Sequence, residues 1–207
     1  MLVLGVDPGT ATTGYGVVRA TRPGDATLVV ASSMPVRDVE TFAPVRDDAP
    51  RVLSNRGANG IDGTVSTALG AALAATHGPT VLLIGDVALA HDVGGLLAAR
   101  RLGVKLTIVL LDNDGGGIFH FLAVSGEGED FELHVATPHG LDFARAAELY
   151  GCGFERADDL GSFAAARERA LASSTTSIVA VESDREANVT LHRRVWEEVA
   201  RSVRGEA

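Results

Sequence analysis

Three near-continuous apolar runs dominate the second half of the chain: residues 80–85 (Thr-Val-Leu-Leu-Ile-Gly), 104–111 and 176–181. Each is strand-length and ends on a turn or polar signal, the pattern of strands buried on both faces, as in parallel sheets. Helical periodicity fills the intervals. Val65, Ala68, Leu69, Ala72 and Leu73 form an i, i+3, i+4, i+7 stripe that predicts a helix over 64–76. Residues 88–102 read as one helix, with Asp92 near its start, Arg100 and Arg101 in the last turn, and Gly103 as the stop. Further helices are predicted at 141–150, 163–172 and 186–203. Alternating strand and helix predicts a doubly wound, mostly parallel α/β sheet with helices on both faces and right-handed crossovers. Two stretches break the alternation. Residues 112–140 form a long loop with glycines at 115, 116, 117, 126 and 128, and residues 2–6 and 15–20 read as a short β-hairpin preceding the sheet. Pro35, Pro44 and Pro50, with Arg46-Asp47-Asp48 between them, mark 35–50 as a linker or boundary.

Composition narrows the class. The chain has 207 residues, 27 acidic against 18 basic, for a net charge of −9. Nucleic-acid affinity rests mainly on Lys and Arg neutralising phosphates, so this balance disfavours a general polyanion binder. One cysteine, Cys152, excludes an internal disulfide and fits a reducing cytoplasm. It lies between glycines with no basic neighbour in sequence, the setting of an inert thiol. No apolar run approaches the roughly 20 residues that cross a bilayer. The six histidines (77, 91, 120, 134, 139, 192) show no ligand spacing and read as structural or surface residues.

The candidate chemistry lies at two strand ends. Gly85-Asp86 closes one predicted strand and Asp112-Asn113-Asp114-Gly115-Gly116 the next. Alone, either is ordinary: an Asp after a strand is commonly a helix N-cap, and Asn-Asp-Gly-Gly is turn chemistry. Together they are one strand–helix–strand unit apart, on the sheet edge where open α/β sheets bind ligands. A carboxylate, an amide oxygen and a backbone carbonyl make half of a hard-oxygen shell, which Mg²⁺ completes with phosphates and water. The glycines let backbone approach a diphosphate, whose charge the start of the following helix favours. The pair therefore reads as a Mg²⁺–diphosphate site.

Gly85-Asp86, the intervening residues and Asn113 resemble the cofactor motif of thiamine-diphosphate enzymes. Three segments sharpen the likeness: Ser32-Ser33-Met34-Pro35-Val36-Arg37-Asp38, the run from Ser54-Asn55-Arg56-Gly57 through Ile61-Asp62-Gly63, and Asn113-Asp114-Gly115-Gly116-Gly117-Ile118-Phe119. From about Val29 to about Val203 the chain resembles the C-terminal, diphosphate-binding domain of the 2-succinyl-5-enolpyruvyl-6-hydroxy-3-cyclohexene-1-carboxylate synthases of menaquinone biosynthesis. The resemblance implies Asp86, Asn113 and the Gly115 carbonyl as ligands of Mg²⁺ or Mn²⁺. It implies Gly85, Val87 and Gly116 beside thiamine diphosphate, and Ile61 wedged between its rings. Ile118 and Phe119 would form an apolar catalytic wall, and Ser33, Arg37 and Arg56 would hold substrate carboxylates. Arg suits that task because it pairs carboxylates bidentately. The implied substrates are 2-oxoglutarate and isochorismate.

The likeness also carries differences. Val87 stands where many thiamine-diphosphate enzymes have a third glycine. The family's pyrimidine-binding domain, which supplies the glutamate that activates the cofactor, has no counterpart among these residues. The resemblance therefore implies a half-site, inactive unless another chain supplies that domain, and a homo-oligomer that covers the partner face. Residues 1–28 instead resemble the first hairpin of Holliday-junction resolvases, with Asp7 in the place of a metal carboxylate. The expected division is thus a hairpin fragment over 1–28, the end of a middle domain with a linker over 29–50, and the diphosphate-binding domain over 51–207. The diphosphate subunit of a two-subunit 2-oxoacid decarboxylase is the nearest alternative. A resolvase-derived nucleic-acid protein is a weaker one, because the chain has no basic cluster.

Overall fold

A computed structural model describes residues 26–57 and 60–205. The hairpin expected at the start lies outside them. The described chain runs β1 (Thr27–Val30), α1 (Met34–Phe42), β2 (Arg51–Ser54), α2 (Thr64–Ala74), β3 (Thr80–Gly85), α3 (Asp86–His91), α4 (Leu96–Leu102), β4 (Thr107–Asp112), α5 (Glu129–Phe131), α6 (Phe143–Tyr150), β5 (Gly153–Ala157), α7 (Leu160–Ala172), β6 (Ser177–Glu182) and α8 (Arg185–Arg204). The six strands form one sheet in the order β2-β1-β3-β4-β6-β5, and every pairing is parallel. No helix among the described residues is long and apolar enough to cross a membrane.

Strand alternation sorts the core into two layers. Val29, Leu82, Ile84, Ile108, Leu110 and Ile178 point to one face and pack with Val65, Leu69, Leu89, Leu96 and Phe143 of α2, α3, α4 and α6. Val30, Leu83, Val109, Leu111, Val179 and Val181 point to the other and meet Phe163, Ala166 and Ala170 of α7. Side chains from Asp142, Asp159 and Asp184 cap the first turns of α6, α7 and α8 by accepting backbone N–H bonds.

Three expectations need correction. Residues 29–50 are not the end of another domain followed by a linker. β1 is an inner strand of this same sheet, paired on both sides, and Pro35 sits in the first turn of α1, where a missing N–H costs nothing. The helix predicted over 88–102 starts earlier, at Asp86, and breaks at 92–95. There the Asp92 carboxylate turns away to accept from the Ser66 N–H (2.8 Å) and hydroxyl (3.1 Å), and a Cβ on Gly95 would come within 2.9 Å of Ser66 Oγ. The 112–140 loop is largely folded into short turns, including α5 and one π-helical turn at Glu132–Ala136.

The last helix is tied to the first by a buried polar pair. His192 Nε2 and Asp38 Oδ1 are hydrogen bonded at 2.9 Å, with the imidazole fully buried. Phe42, Phe121 and Trp196 pack their rings around His192, at centroid distances of 4.9, 5.4 and 5.7 Å. Removing one member of a buried pair strands the other without compensation. Asp38→Ala and His192→Ala should each lower the unfolding free energy by about 3 kcal/mol, and the double variant by clearly less than their sum. Denaturant unfolding followed by the fluorescence of Trp196, the chain's one tryptophan, measures this. Additive losses would show that the two residues do not act as a pair.

Candidate functional site

The adjacency of β3 and β4 builds the centre of the site. Their register pairs Gly85 with Leu111, so both strands end side by side and release Asp86 and the 112–117 turn on one edge. Asp86, the first residue of α3, is 2% exposed. Its Oδ1 accepts from the Val87 N–H (2.7 Å), and its Oδ2 accepts from the N–H groups of Asn113 (3.1 Å) and Gly115 (2.9 Å). One carboxylate therefore clasps the β4 turn to the start of α3.

The turn itself is tightly folded. Asp114 holds a positive φ of 56°, and its Oδ1 accepts from the N–H groups of His139 (2.9 Å) and Gly140 (2.7 Å). These bonds pull the Asp114 carboxyl below its usual range. Gly115 has φ 139°, and a Cβ there would lie 2.4 Å from the Ala136 carbonyl oxygen, which accepts the Gly116 N–H at 2.7 Å. A Cβ on Gly117 would lie 2.6 Å from Asn113 Nδ2, and the Phe119 ring covers Gly116. These glycines are required by the chain's own packing. Gly85 differs: its backbone is ordinary (φ −82°, ψ 161°), and a Cβ there would meet nothing within 4 Å among the described residues. That open space lies beside Asp86.

The donor set suits a hard cation. Asn113 Oδ1 is buried and has no hydrogen-bond partner among the described residues, which leaves a spare amide oxygen on the residue whose N–H bonds the Asp86 carboxylate. Asp86, Asp112 and His139 bring ligand-type atoms within 4.8 Å of one another. Burial, and then the neighbouring Asp86 carboxylate, push the Asp112 carboxyl up. Two carboxylates this close raise each other's energy, a debt that a divalent ion relieves.

The remaining predicted residues surround this centre unevenly. Ser33 precedes α1 with φ 70°, and its carbonyl accepts from Arg37 Nη1 at 2.7 Å. Arg56 is exposed on the turn after β2, which Ser32 Oγ ties to β1 through the Asn55 carbonyl at 3.3 Å. Both turns leave the same carboxyl edge of the sheet as Gly85-Asp86, and no direct bond joins the two arginines to each other or to Asp86 among the bonds described. Ile61 packs against the core layer before α2. Ile118 is half-buried, whereas Phe119 is 39% exposed. Half-buried Val87 contributes its N–H to Asp86.

Sequence reasoning named Asp112 and Asp114 within the strand-end motif without giving either a role of its own, and it read His139 as a structural or surface residue. His139 lies 25 residues beyond Asp114 with no periodic relation to it, so spacing could not reveal it. The only local signal was the Thr137-Pro138-His139-Gly140 turn, in which Thr137 (φ 49°) and Gly140 (φ 58°) both adopt the left-handed region.

Comparison with known proteins places the chain in a family. Residues 37–181 match the family model described as thiamine pyrophosphate enzyme, C-terminal TPP binding domain. Among curated relatives, a 2-succinyl-5-enolpyruvyl-6-hydroxy-3-cyclohexene-1-carboxylate synthase of Geobacillus thermodenitrificans is 46% identical over 181 residues, covering 87% of this chain and 30% of the relative. One from Rubrobacter xylanophilus is 48% identical over 173 residues, covering 84% and 30%. The chain thus spans about a third of the length of the curated relatives it matches. Among solved structures, the benzoylformate decarboxylase of Polynucleobacter necessarius shares the fold with a TM-score of 0.64 at 19% identity, over 80% of this chain and 31% of that one. With the family model spanning most of the sheet and both strand ends of the site, the chain belongs to the C-terminal thiamine-pyrophosphate-binding domains of thiamine pyrophosphate enzymes.

Proposed function

We propose that the chain is the diphosphate- and metal-binding part of a 2-succinyl-5-enolpyruvyl-6-hydroxy-3-cyclohexene-1-carboxylate synthase. The observation that carries this reading is the pairing of Asp86 with the buried, unpartnered Asn113 Oδ1 at adjacent strand ends. The synthase is favoured because relatives of that name are 46–48% identical across most of the chain. Asp86, Asn113 and the Gly115 carbonyl hold Mg²⁺ or Mn²⁺, and the ion offsets the charge of the diphosphate group of thiamine diphosphate. The open space at Gly85 admits the diphosphate, which a side chain would crowd. Ile61 supports the cofactor from the core side.

Thiamine diphosphate, held by these residues, would supply a carbon nucleophile for decarboxylation of 2-oxoglutarate and for carbon–carbon bond formation with isochorismate. This chain's residues bind and shield that chemistry. Ile118 and exposed Phe119 present an apolar wall that excludes water from the reacting carbon. Ser33, Arg37 and Arg56 receive the substrate carboxylates. The pyrimidine-binding domain comes from another chain in a homo-oligomer. Leu73, Leu97, Leu102 and Leu149, each at least half exposed on α2, α4 and α6, support a covered face on that side.

Two measurements test the reading. In calorimetric titration with thiamine diphosphate, binding should require Mg²⁺, and Asp86→Asn should weaken it by at least about tenfold, the worth of one charge-assisted interaction. Binding that ignores Mg²⁺, or no binding by the wild-type chain, would defeat it. The second measurement contrasts two glycines. Gly115→Ala clashes with the Ala136 carbonyl and should cost about 1–3 kcal/mol of stability. Gly85→Ala should leave the melting temperature nearly unchanged while weakening thiamine diphosphate by about an order of magnitude, because only the ligand needs that space. Equal binding by Gly85→Ala would place the diphosphate elsewhere.

A further inference from the structure

His139 is held more firmly than a surface histidine needs to be. Asp114 staples its backbone by accepting from the His139 and Gly140 N–H groups. The Phe143 ring meets the imidazole edge-on, at 5.7 Å and 87°. The Leu141 N–H donates to His139 Nδ1 at 3.0 Å. A ring nitrogen that accepts cannot carry hydrogen, so the hydrogen sits on Nε2. That Nε2–H is buried and lies 3.2 Å from Asp86 Oδ2. It is not aligned to hydrogen-bond there, and Oδ2 already accepts from Asn113 and Gly115. Nε2 therefore lies close to both the Asp86 and the Asp112 carboxylate, within the 4.8 Å cluster, and has no acceptor of its own among the described residues.

We propose that His139 is a positioning residue of the metal centre: its Nε2 edge, held against the Asp86 and Asp112 carboxylates by the Leu141 N–H and the Asp114 staple, tempers the repulsion between the two carboxylates and keeps them in place for the ion. It is not itself a ligand, because coordination through Nε2 would require the hydrogen to move to Nδ1 and break the bond from Leu141. Outer groups of this kind set metal affinity as well as geometry. The inference rests on the cofactor-site reading above and adds the residue that tunes it.

The test uses Mn²⁺ as a paramagnetic probe, titrated into the full chain with thiamine diphosphate present and followed by electron paramagnetic resonance. His139→Phe should raise the Mn²⁺ dissociation constant by about 10–100-fold, and His139→Gln, which still presents an N–H, should recover most of that loss. Melting temperatures separate a lost fold from a lost positioning group. Spin-echo measurements on the wild type should show no directly coordinated imidazole nitrogen, and ¹⁵N NMR should show hydrogen on His139 Nε2. Direct nitrogen coordination, hydrogen on Nδ1, or wild-type Mn²⁺ affinity in a folded His139→Phe variant would each overturn the proposal. The two spectroscopic results hold even if His139→Phe fails to fold. Failure of the wild type to bind Mn²⁺ would overturn the cofactor-site reading and this inference together, whereas unchanged affinity in the variant overturns this inference alone.

Discussion

The site depends on one buried carboxylate accepting three backbone N–H groups. Asp86 could not sit 2% exposed without them, since a buried charge needs charge-assisted partners. The partners come from two different strand ends, so the clasp exists only if β3 and β4 are neighbours and in register. Parallel pairing supplies both conditions, and the apolar runs of the two strands supply the pairing. Core packing and site geometry are thus one constraint: a slip of one residue between β3 and β4 would exchange their buried faces and carry Asn113 and Gly115 away from Asp86.

The long segment after β4 extends the same logic. Its backbone cannot join the sheet, so its polar groups must find partners locally. Gly116 N–H goes to Ala136, Asp114 takes the His139 and Gly140 N–H groups, and the Glu132–Ala136 turn carries the chain back. Glycines at 115–117 make that return possible because their missing side chains leave room for Ala136, Phe119 and Asn113. The same return carries His139 to Asp86. A loop that is functional because it is ordered needs this density of bonds, and the segment has it.

What was legible in the sequence follows from where the physical signal is local. β3, β4 and β6 are buried on both faces, so hydrophobicity alone marks them. β5 was invisible because it is an edge strand whose Glu155 and Arg156 break the apolar run, and β2, with exposed Arg51 and Val52, fails for the same reason. β1 is buried, but four residues are too few to stand out, and the nearby prolines pointed to a boundary. Gly85-Asp86 and Asn113 were readable because one strand–helix–strand unit fixes their relative positions. His139 and the Asp38–His192 pair were not. Each joins residues far apart in sequence, and only the tertiary fold decides that they meet.

The charge balance completes the physical picture. A chain of net charge −9 offers no general attraction to an anion, and the two arginines of this edge stand apart, Arg37 in the first turn of α1 and Arg56 on the turn after β2, rather than in a basic patch. Attraction at the β3–β4 edge must therefore be local. The carboxylates of Asp86 and Asp112 repel an anion unless a cation comes with it. On the proposed reading, the metal and the diphosphate would be one ligand in energetic terms: the ion would settle the carboxylate cluster, and the diphosphate would complete the ion's shell. A site built this way would discriminate by requiring both components together, because the negative charge around it leaves a bare anion no favourable place to bind.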